Sequence, residues 1–330
     1  MNVPRIKIPQ HWKTTTVLYW KNFKTWWLHL WKNFKTGWFH FWKNWHYVKY
    51  YYYNSSRHLK KTRKYHRKLR ALKKTATCDI LTTYSNKNEA DQMEFYKQLS
   101  KYYDILFPLN IQSVTFIKER LTEGEILDLA AGTGNHALAL AKLGFSVTAT
   151  DLDENMIKAI EEKATKDDVC ISAVPLAMEQ LEEIRDKQFS TIICLGNSLV
   201  HLNNINAVTK ALSDIHNLLC HDGKLFIQIV NYDRVLKEGI TELPYINREK
   251  EQVSFRRSYL HKDQGIIFKG VLSVGEEILE NEVSLLPITS QQLVDLLASV
   301  GFKNINLFGS FKGEPFELNS PAIIVEASNE

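Results

Sequence analysis

At 330 residues and 44% hydrophobic content, the chain can bury a sizeable core in one large domain or two small ones. No apolar run reaches 18 residues, and the start lacks a compact apolar leader core. Both a membrane-spanning helix and a signal peptide are therefore read out. The four cysteines (Cys78, Cys170, Cys194, Cys220) show neither C-x-x-C spacing nor nearby histidine sets, so no disulfide framework and no metal site is expected, and the setting reads as cytoplasmic.

The net charge of +5 averages two unlike parts. Before residue 86 there are 19 Lys and Arg against the single acid Asp79, and after it 23 basic against 36 acidic residues. All eight Trp lie between Trp12 and Trp45. Within that stretch WKNFKTWWLHL (Trp20 to Leu30) recurs as WKNFKTGWFHF (Trp31 to Phe41), then decays into WKNW (Trp42 to Trp45). A period of eleven is three helical turns. As a helix it gathers Trp20, Phe23, Trp27, Leu30, Trp31 and Phe34 on one face, with lysines off it, a pattern suited to a membrane interface. The basic run from Arg57 to Lys74 suits the phosphates of nucleic acid or anionic lipid. Two plainer readings stand beside these. Such a run is commonly solvated and disordered, and residues 1–92 as a whole read as a dispensable or non-native extension, with Met93 placed as an initiator. Membrane association and nucleic-acid contact are both expected, if at all, through this segment.

From Met93 the composition turns ordinary. A helix is expected over Phe95 to Phe107, ending before Pro108, and a second amphipathic one over Ile111 to Leu121. The stretch ILDLAAGTGN (Ile126 to Asn135) then reads as a buried strand entering a tight turn, with the helix-compatible run His136 to Leu143 beyond it. Such a turn lets backbone approach a ligand with free N–H groups pointing at it. A second strand, Ser146 to Thr150, ends in Asp151, placed for a ribose diol. Gly132-x-Gly134-x-x-Ala137 also satisfies the dinucleotide fingerprint. Asp128, four residues before Gly132, separates the two cases: a carboxylate there repels a pyrophosphate and welcomes the sulfonium and ammonium of S-adenosylmethionine (SAM).

The pattern resembles motif I of the class I SAM-dependent methyltransferases. That resemblance implies an α/β fold with a Rossmann-like seven-stranded mixed sheet. It also implies a methionyl site at Asp128, Ala130, Gly132 and Gly134, a ribose contact at Asp151, and a tyrosine of the first helix, Tyr103, over the methionyl end. A helix over Asp153 to Ala164, capped by Asp153, follows, and Leu152 and Met156 supply apolar surface for adenine. A strand over Val169 to Val174, with Cys170 in its core, leads to LAMEQL (Leu176 to Leu181). Many family members carry Asp or Asn where Ala177 stands, so adenine recognition is expected to lean on backbone around Met178, or on Glu179.

The fourth strand, FSTIICLGNSLVHL (Phe189 to Leu202), resembles the corresponding segment of glycine N-methyltransferase and its bacterial relatives. Leu195 is placed beside the cofactor. Gly196 turns the chain at the strand's rim, Asn197 offers an amide beside the transferring methyl, and His201 is expected at the start of the next helix. After a helix over Asn206 to Leu219 and a turn at His221–Gly223, strand five is expected over Lys224 to Leu236. Its Asn231-Tyr232-Asp233 again resembles that enzyme, and Tyr232 is expected to face the acceptor. The family enzyme carries an Arg just before this triplet, gripping the glycine carboxylate; here Val230 stands there, leaving Arg234, Arg256 or Arg257 as substitutes, or a different acceptor.

Alternating residues over Val253 to Tyr259, Ile266 to Ser273 and Glu280 to Leu286 predict an antiparallel lid within an insertion at about 238–287. Thr289 caps a helix over Ser290 to Val300, and strands Ile305 to Phe308 and Ala322 to Ala327 close the sheet. The chain thus reads as a Trp/Lys-rich extension (1–92) and a methyltransferase domain (93–330). The expected enzyme transfers a methyl group to a small molecule, at an amine nitrogen first, with Asn197, His201 and Tyr232 around the acceptor and no metal. The alternatives are an RNA or protein methyltransferase guided by the basic segment, and a non-catalytic SAM-binding protein.

Overall fold

The computed structural model describes residues 94–121, 123–263 and 265–330. The Trp-rich repeat, the basic run and the Met93 boundary, with the membrane and nucleic-acid contacts expected of them, lie outside the described residues. Among the described residues no helix is long and apolar enough to cross a membrane.

Seven strands form one mixed sheet, in the order β10-β11-β5-β4-β1-β2-β3. They are β1 (Ile126–Leu129), β2 (Val147–Asp151), β3 (Ser172–Pro175), β4 (Phe189–Cys194), β5 (Leu219–Val230), β10 (Lys303–Phe308) and β11 (Ala322–Asn329). The first five run parallel, whereas β11 lies antiparallel to both neighbours, between β5 and β10. Strand alternation sorts side chains to the two faces. Leu127, Leu129, Ile192, Cys194, Leu225, Ile227 and Ile229 join one buried cluster, and Ile126, Ile193, Leu195 and Phe226 join the other.

Helices cover both faces, each with its apolar stripe inward. On one side are α2 (Ile111–Lys118), α3 (Asn135–Lys142) and α4 (Glu154–Asp167), which bury Phe116, Ile117, Leu140, Ile157 and Ile160. On the other are α5 (Ile205–Leu218), α6 (Tyr232–Glu238) and α7 (Ser290–Ser299). In α5 the residues Val208, Ala211, Leu212, Ile215 and Leu218 are buried at helical spacing. Each fully buried Leu, Ile or Phe contributes about 1.5–3 kcal/mol. The sequence caps these helices as expected: the Asp153 side chain accepts from the Asn155 N–H, and Thr289 forms a capping box with Gln292.

A second antiparallel sheet, in the order β6-β7-β8-β9, rises after α6. Its strands are β6 (Ile246–Arg248), β7 (Val253–Lys262), β8 (Gly265–Val274) and β9 (Glu277–Leu285). The expected three-stranded lid thus has a fourth, three-residue strand too short to show alternation. The first helix, α1 (residues 94–106), packs on this sheet: Phe95, Leu99 and Leu106 share a cluster with Val253, Phe255 and Leu272. The Arg248 Nε donates to the Ile105 carbonyl at 2.9 Å, tying down the end of α1.

Three sequence expectations are corrected. Strand five stops at Val230 instead of running to Leu236, because the Asn231 side chain accepts from the Arg234 N–H and starts a helix. Cys170 is exposed and outside any strand; α4 runs on to Asp167 and ends in a left-handed Asp168 (φ 52°), so β3 begins only at Ser172. His201 ends a 3-10 turn (Ser198–His201) and does not begin α5, which Asn204 caps.

Candidate active site

The crevice lies at the carboxyl ends of β1, β4 and β5, where successive connections leave on opposite sides of the sheet. Its floor is the turn after β1. Ala130, Gly132 and Gly134 all have left-handed backbone, with φ of 53°, 57° and 76°. A Cβ on Gly134 would stand 2.6 Å from Ile160 Cγ1, so the third position accepts hydrogen only. Three of the N–H groups expected to be free around this turn are already engaged. Ala131 N–H donates to the Thr150 carbonyl, Gly134 N–H to the Ala131 carbonyl, and Gly132 N–H to Asp151 Oδ2 at 2.8 Å. The turn closes on itself and on β2.

Asp151 thus joins the two loops: its other oxygen accepts the Asp153 N–H at 2.9 Å. Burial raises its carboxyl above the usual range. Asp128 is buried beneath the turn, within hydrogen-bond reach of the Ala137 N–H, while its Oδ2 has no partner. Burial, with some repulsion from Asp151, pushes this carboxyl up to about 8.

Tyr103, on α1, lies over the turn: a Cβ on Gly132 would sit 3.4 Å from its ring. Its hydroxyl is pushed up to about 12, by burial first and then by Asp151, Asp104 and Asp128. Three carboxylates therefore surround this end of the crevice. Asp104, the next residue, was missed in the sequence. Its Oδ1 accepts from the Thr133 hydroxyl at 2.5 Å, and its Oδ2 pairs with Lys163 Nζ at 2.9 Å. The same ammonium also reaches Asn135 Oδ1 at 2.9 Å. The turn, α1 and α4 are thereby clamped together. The only signal was the acid directly after Tyr102-Tyr103.

The expected adenine surface is divided. Leu152 is 75% exposed beside Asp151, an apolar side chain open for a ring to cover, whereas Met156 is 5% exposed and belongs to the packing of α4. Leu195 is buried in the core. Met178 is partly buried against the other cluster, next to Ala177 at the head of a 3-10 turn (Met178–Ile184).

At the β4 rim, Gly196 and Asn197 are held by β5: Gly196 N–H donates to Gln228 Oε1 at 2.8 Å and Asn197 N–H to the Gln228 carbonyl at 3.0 Å. Asn197 Oδ1 accepts the Val230 N–H at 2.9 Å, and its Nδ2 donates to the Tyr232 hydroxyl at 3.1 Å. Tyr232, expected to face the acceptor, is instead fully enclosed behind Asn197. Its hydroxyl also meets that of Tyr259 on β7, and burial raises it far beyond the usual phenol range. His201 is exposed at the rim, with its imidazole desolvated enough to titrate below its ordinary value.

The triplet after β5 divides its labour. Asn231 Nδ2 donates to the carbonyls of Leu318 (2.8 Å) and Ser320 (2.9 Å), pinning the loop before β11. Asp233 accepts from the Ser290 N–H at 2.7 Å and caps α7. Tyr232 touches the site only through Asn197, from behind.

These groups suit one kind of cofactor. A buried carboxylate oxygen without a partner, inside a ring of three acids, disfavours a pyrophosphate and matches a ligand bearing sulfonium and ammonium charges.

The comparisons agree. The methyltransferase domain family matches residues 126–223. The chain is 27% identical over 220 residues to a glycine/sarcosine N-methyltransferase of Aphanothece halophytica, covering 65% of this chain and 80% of that protein. It is 30% identical over 200 residues to the glycine/sarcosine N-methyltransferase of Halorhodospira halochloris, covering 60% and 73%. A SAM-dependent methyltransferase structure from Clostridium acetobutylicum ATCC 824 matches with a TM-score of 0.62 at 19% identity, over 71% of this chain and 98% of that one, a likeness of fold. The CcbJ methyltransferase from Streptomyces caelestis matches with the same TM-score at 18% identity, over 69% and 95%. The chain belongs to the class I SAM-dependent methyltransferases, and SAM is its methyl donor.

Proposed function

We propose that this enzyme methylates an amine nitrogen of a small molecule, and that residues 93–330 carry the activity. The observation that carries this reading is the cover over the crevice. Helix α1 is fastened to the glycine turn through Tyr103 and Asp104, and to the lid sheet through Phe95, Leu106 and Arg248. A site roofed on both sides suits a small acceptor better than a polymer. The relatives named as glycine/sarcosine N-methyltransferases support an amine as its nucleophile.

SAM, when bound, supplies an already activated methyl group. The protein's part is then to hold a neutral lone pair in line with it, and orientation of this kind contributes about 7–11 kcal/mol to lowering a barrier. Asp128, Asp151, Leu152 and the Gly132–Gly134 turn hold the donor. Asn197, fixed by Val230 and Tyr232, presents its amide at the acceptor rim. His201, a free base at neutral pH, accepts the proton that an ammonium must lose. Tyr232 stays protonated and orients Asn197.

The test is methyl transfer from labelled SAM by the full chain to a panel of amines, amino acids and RNA. Label in a small amine is expected. Label confined to RNA or protein overturns the reading, as does tight SAM binding with no turnover across the panel.

A further inference from the structure

From Leu225 to Val230 strand β5 reads Leu-Phe-Ile-Gln-Ile-Val, and Gln228 is its one polar member. A half-buried glutamine in an otherwise apolar strand costs desolvation unless its amide finds partners. Strand alternation puts it on the face of Phe226, opposite Ile227 and Ile229, two residues before the strand ends. The pairings Gln228 with Ile324 and Val230 with Ala322 seat this end of β5 against β11, with β4 on its other side.

The β4 rim that Gln228 meets is not shaped by packing. Gly196 is exposed, and a Cβ placed on it would touch nothing within 4 Å. Gly196 and Asn197 are consecutive left-handed residues, with φ of 76° and 73°. Glycine is equally at ease elsewhere, and asparagine tolerates this region without preferring it. Hydrogen bonds therefore hold the rim. Gln228 supplies two acceptors, its Oε1 for the Gly196 N–H at 2.8 Å and its carbonyl for the Asn197 N–H at 3.0 Å. A backbone N–H can only donate, so this contact fixes which end of the Gln228 amide is the oxygen. The Leu195 carbonyl, at the other end of the same peptide group, accepts from the Ser198 hydroxyl at 3.0 Å. Val230 and Tyr232 then hold the Asn197 side chain itself. Residues 228, 230 and 232 thus bracket one amide, and only Gln228 acts on the backbone that carries it.

We propose that Gln228 is a positioning residue for methyl transfer: its Oε1, by holding the Gly196 N–H, sets the angle at which the Asn197 amide meets the acceptor. The inference rests on the assignment of Asn197 to the acceptor rim and adds to it the residue that aims that amide. Gln228 acts through Gly196 and Asn197. Without its oxygen the Gly196 peptide loses one of its two grips, and a sterically unhindered glycine lets the rim swing. An in-line transfer is sensitive to displacements of about 1 Å, so the loss falls on the chemical step.

The test uses full-length protein and the best acceptor found in the labelled-SAM panel. Gln228→Met keeps the length of the side chain and removes the oxygen, whereas Gln228→Glu keeps an oxygen. Gln228→Met is expected to lower kcat at least about tenfold, with SAM affinity and acceptor KM within about threefold of wild type and the melting temperature unchanged. Gln228→Glu is expected to recover most of that kcat. A loss of kcat that tracks a fall in melting temperature marks a purely structural role and overturns the proposal. So does a Gln228→Met enzyme that keeps its kcat, or a Gln228→Glu enzyme as slow as Gln228→Met. If only RNA or protein accepts label, the small-amine reading fails by itself, and the same variants are compared on that acceptor with the same expectations. If nothing accepts label, that reading fails too, and the rim is read by NMR of the S-adenosylhomocysteine complex. The Asn197 side-chain amide is identified there by its absence in Asn197→Ala. One pair of signals that splits or broadens in Gln228→Met upholds the proposal, and a pair that Gln228→Met leaves unmoved overturns it.

Discussion

Binding of the methyl donor should expel a proton. Burial holds the Asp128 carboxyl up to about 8, so at pH 6.5 nearly every molecule carries that proton. A sulfonium and an ammonium beside the side chain favour its ionised form, and ionisation must then accompany binding. Close to one proton should therefore be released per SAM bound at pH 6.5. The association constant should rise by up to about tenfold per pH unit between about pH 5 and 7, then flatten above about 8. The donor's own α-amino group titrates at about 7.7–8.0 and stays protonated at the lower pH. The same shift sets a stability trend. An acid whose folded value lies above its ordinary value of 3.8 keeps more protons in the folded state, so stability falls as pH rises from about 4 to about 8 and levels off beyond. Titration calorimetry at pH 6.5 in phosphate and in Tris separates the linked proton by its buffer heat. Asp128→Asn should make the heats coincide and remove most of the pH dependence. Buffer-independent heats in the wild type, with affinity constant from pH 5.5 to 7.5, would show that Asp128 is not the group that meets the cation.

Four further outcomes are expected. Gly134→Ala combines a left-handed alanine (about 1–2 kcal/mol) with overpacking against Ile160 (about 1–3 kcal/mol), which urea denaturation should register, with Ile160→Ala offsetting part of the loss when the two are combined. Tyr232→Phe leaves the Asn197 amide and the Tyr259 hydroxyl short of a partner, costing about 1–3 kcal/mol in unfolding free energy, yet the shape of the pH–rate profile between 6 and 9 should not move. In His201→Gln the acidic limb of kcat/KM, which lies below pH 6.5 in the wild type, should disappear. Asp104→Ala removes a half-exposed ion pair worth under about 1 kcal/mol. It also frees α1 from the turn, so SAM affinity should fall about 3- to 10-fold with little change in melting temperature.

The sheet was legible in the sequence because its strands are short apolar runs bounded by turn residues, and Asp128, Gly132, Gly134 and Asp151 follow from the requirements of one tight turn. What escaped depends on contacts far apart in the chain. Asp104 reads as an ordinary helix residue until the fold brings it to Thr133 and Lys163. Tyr232 reads as a rim residue until helix α6 turns it inward, and Tyr259 reads as one more strand aromatic until the lid folds over it. Asn231 follows the same logic: a polar residue at a strand end announces either a ligand or a cap, and here it is a cap and a loop anchor.

The position of β11 carries a consequence for synthesis. This strand, residues 322–329, fills the gap between β5 and β10, so the main sheet stays split into two unjoined parts until translation has passed it. The nascent polypeptide cannot complete its central architecture vectorially, and a message truncated before this strand would yield a product with two open β edges, prone to self-association.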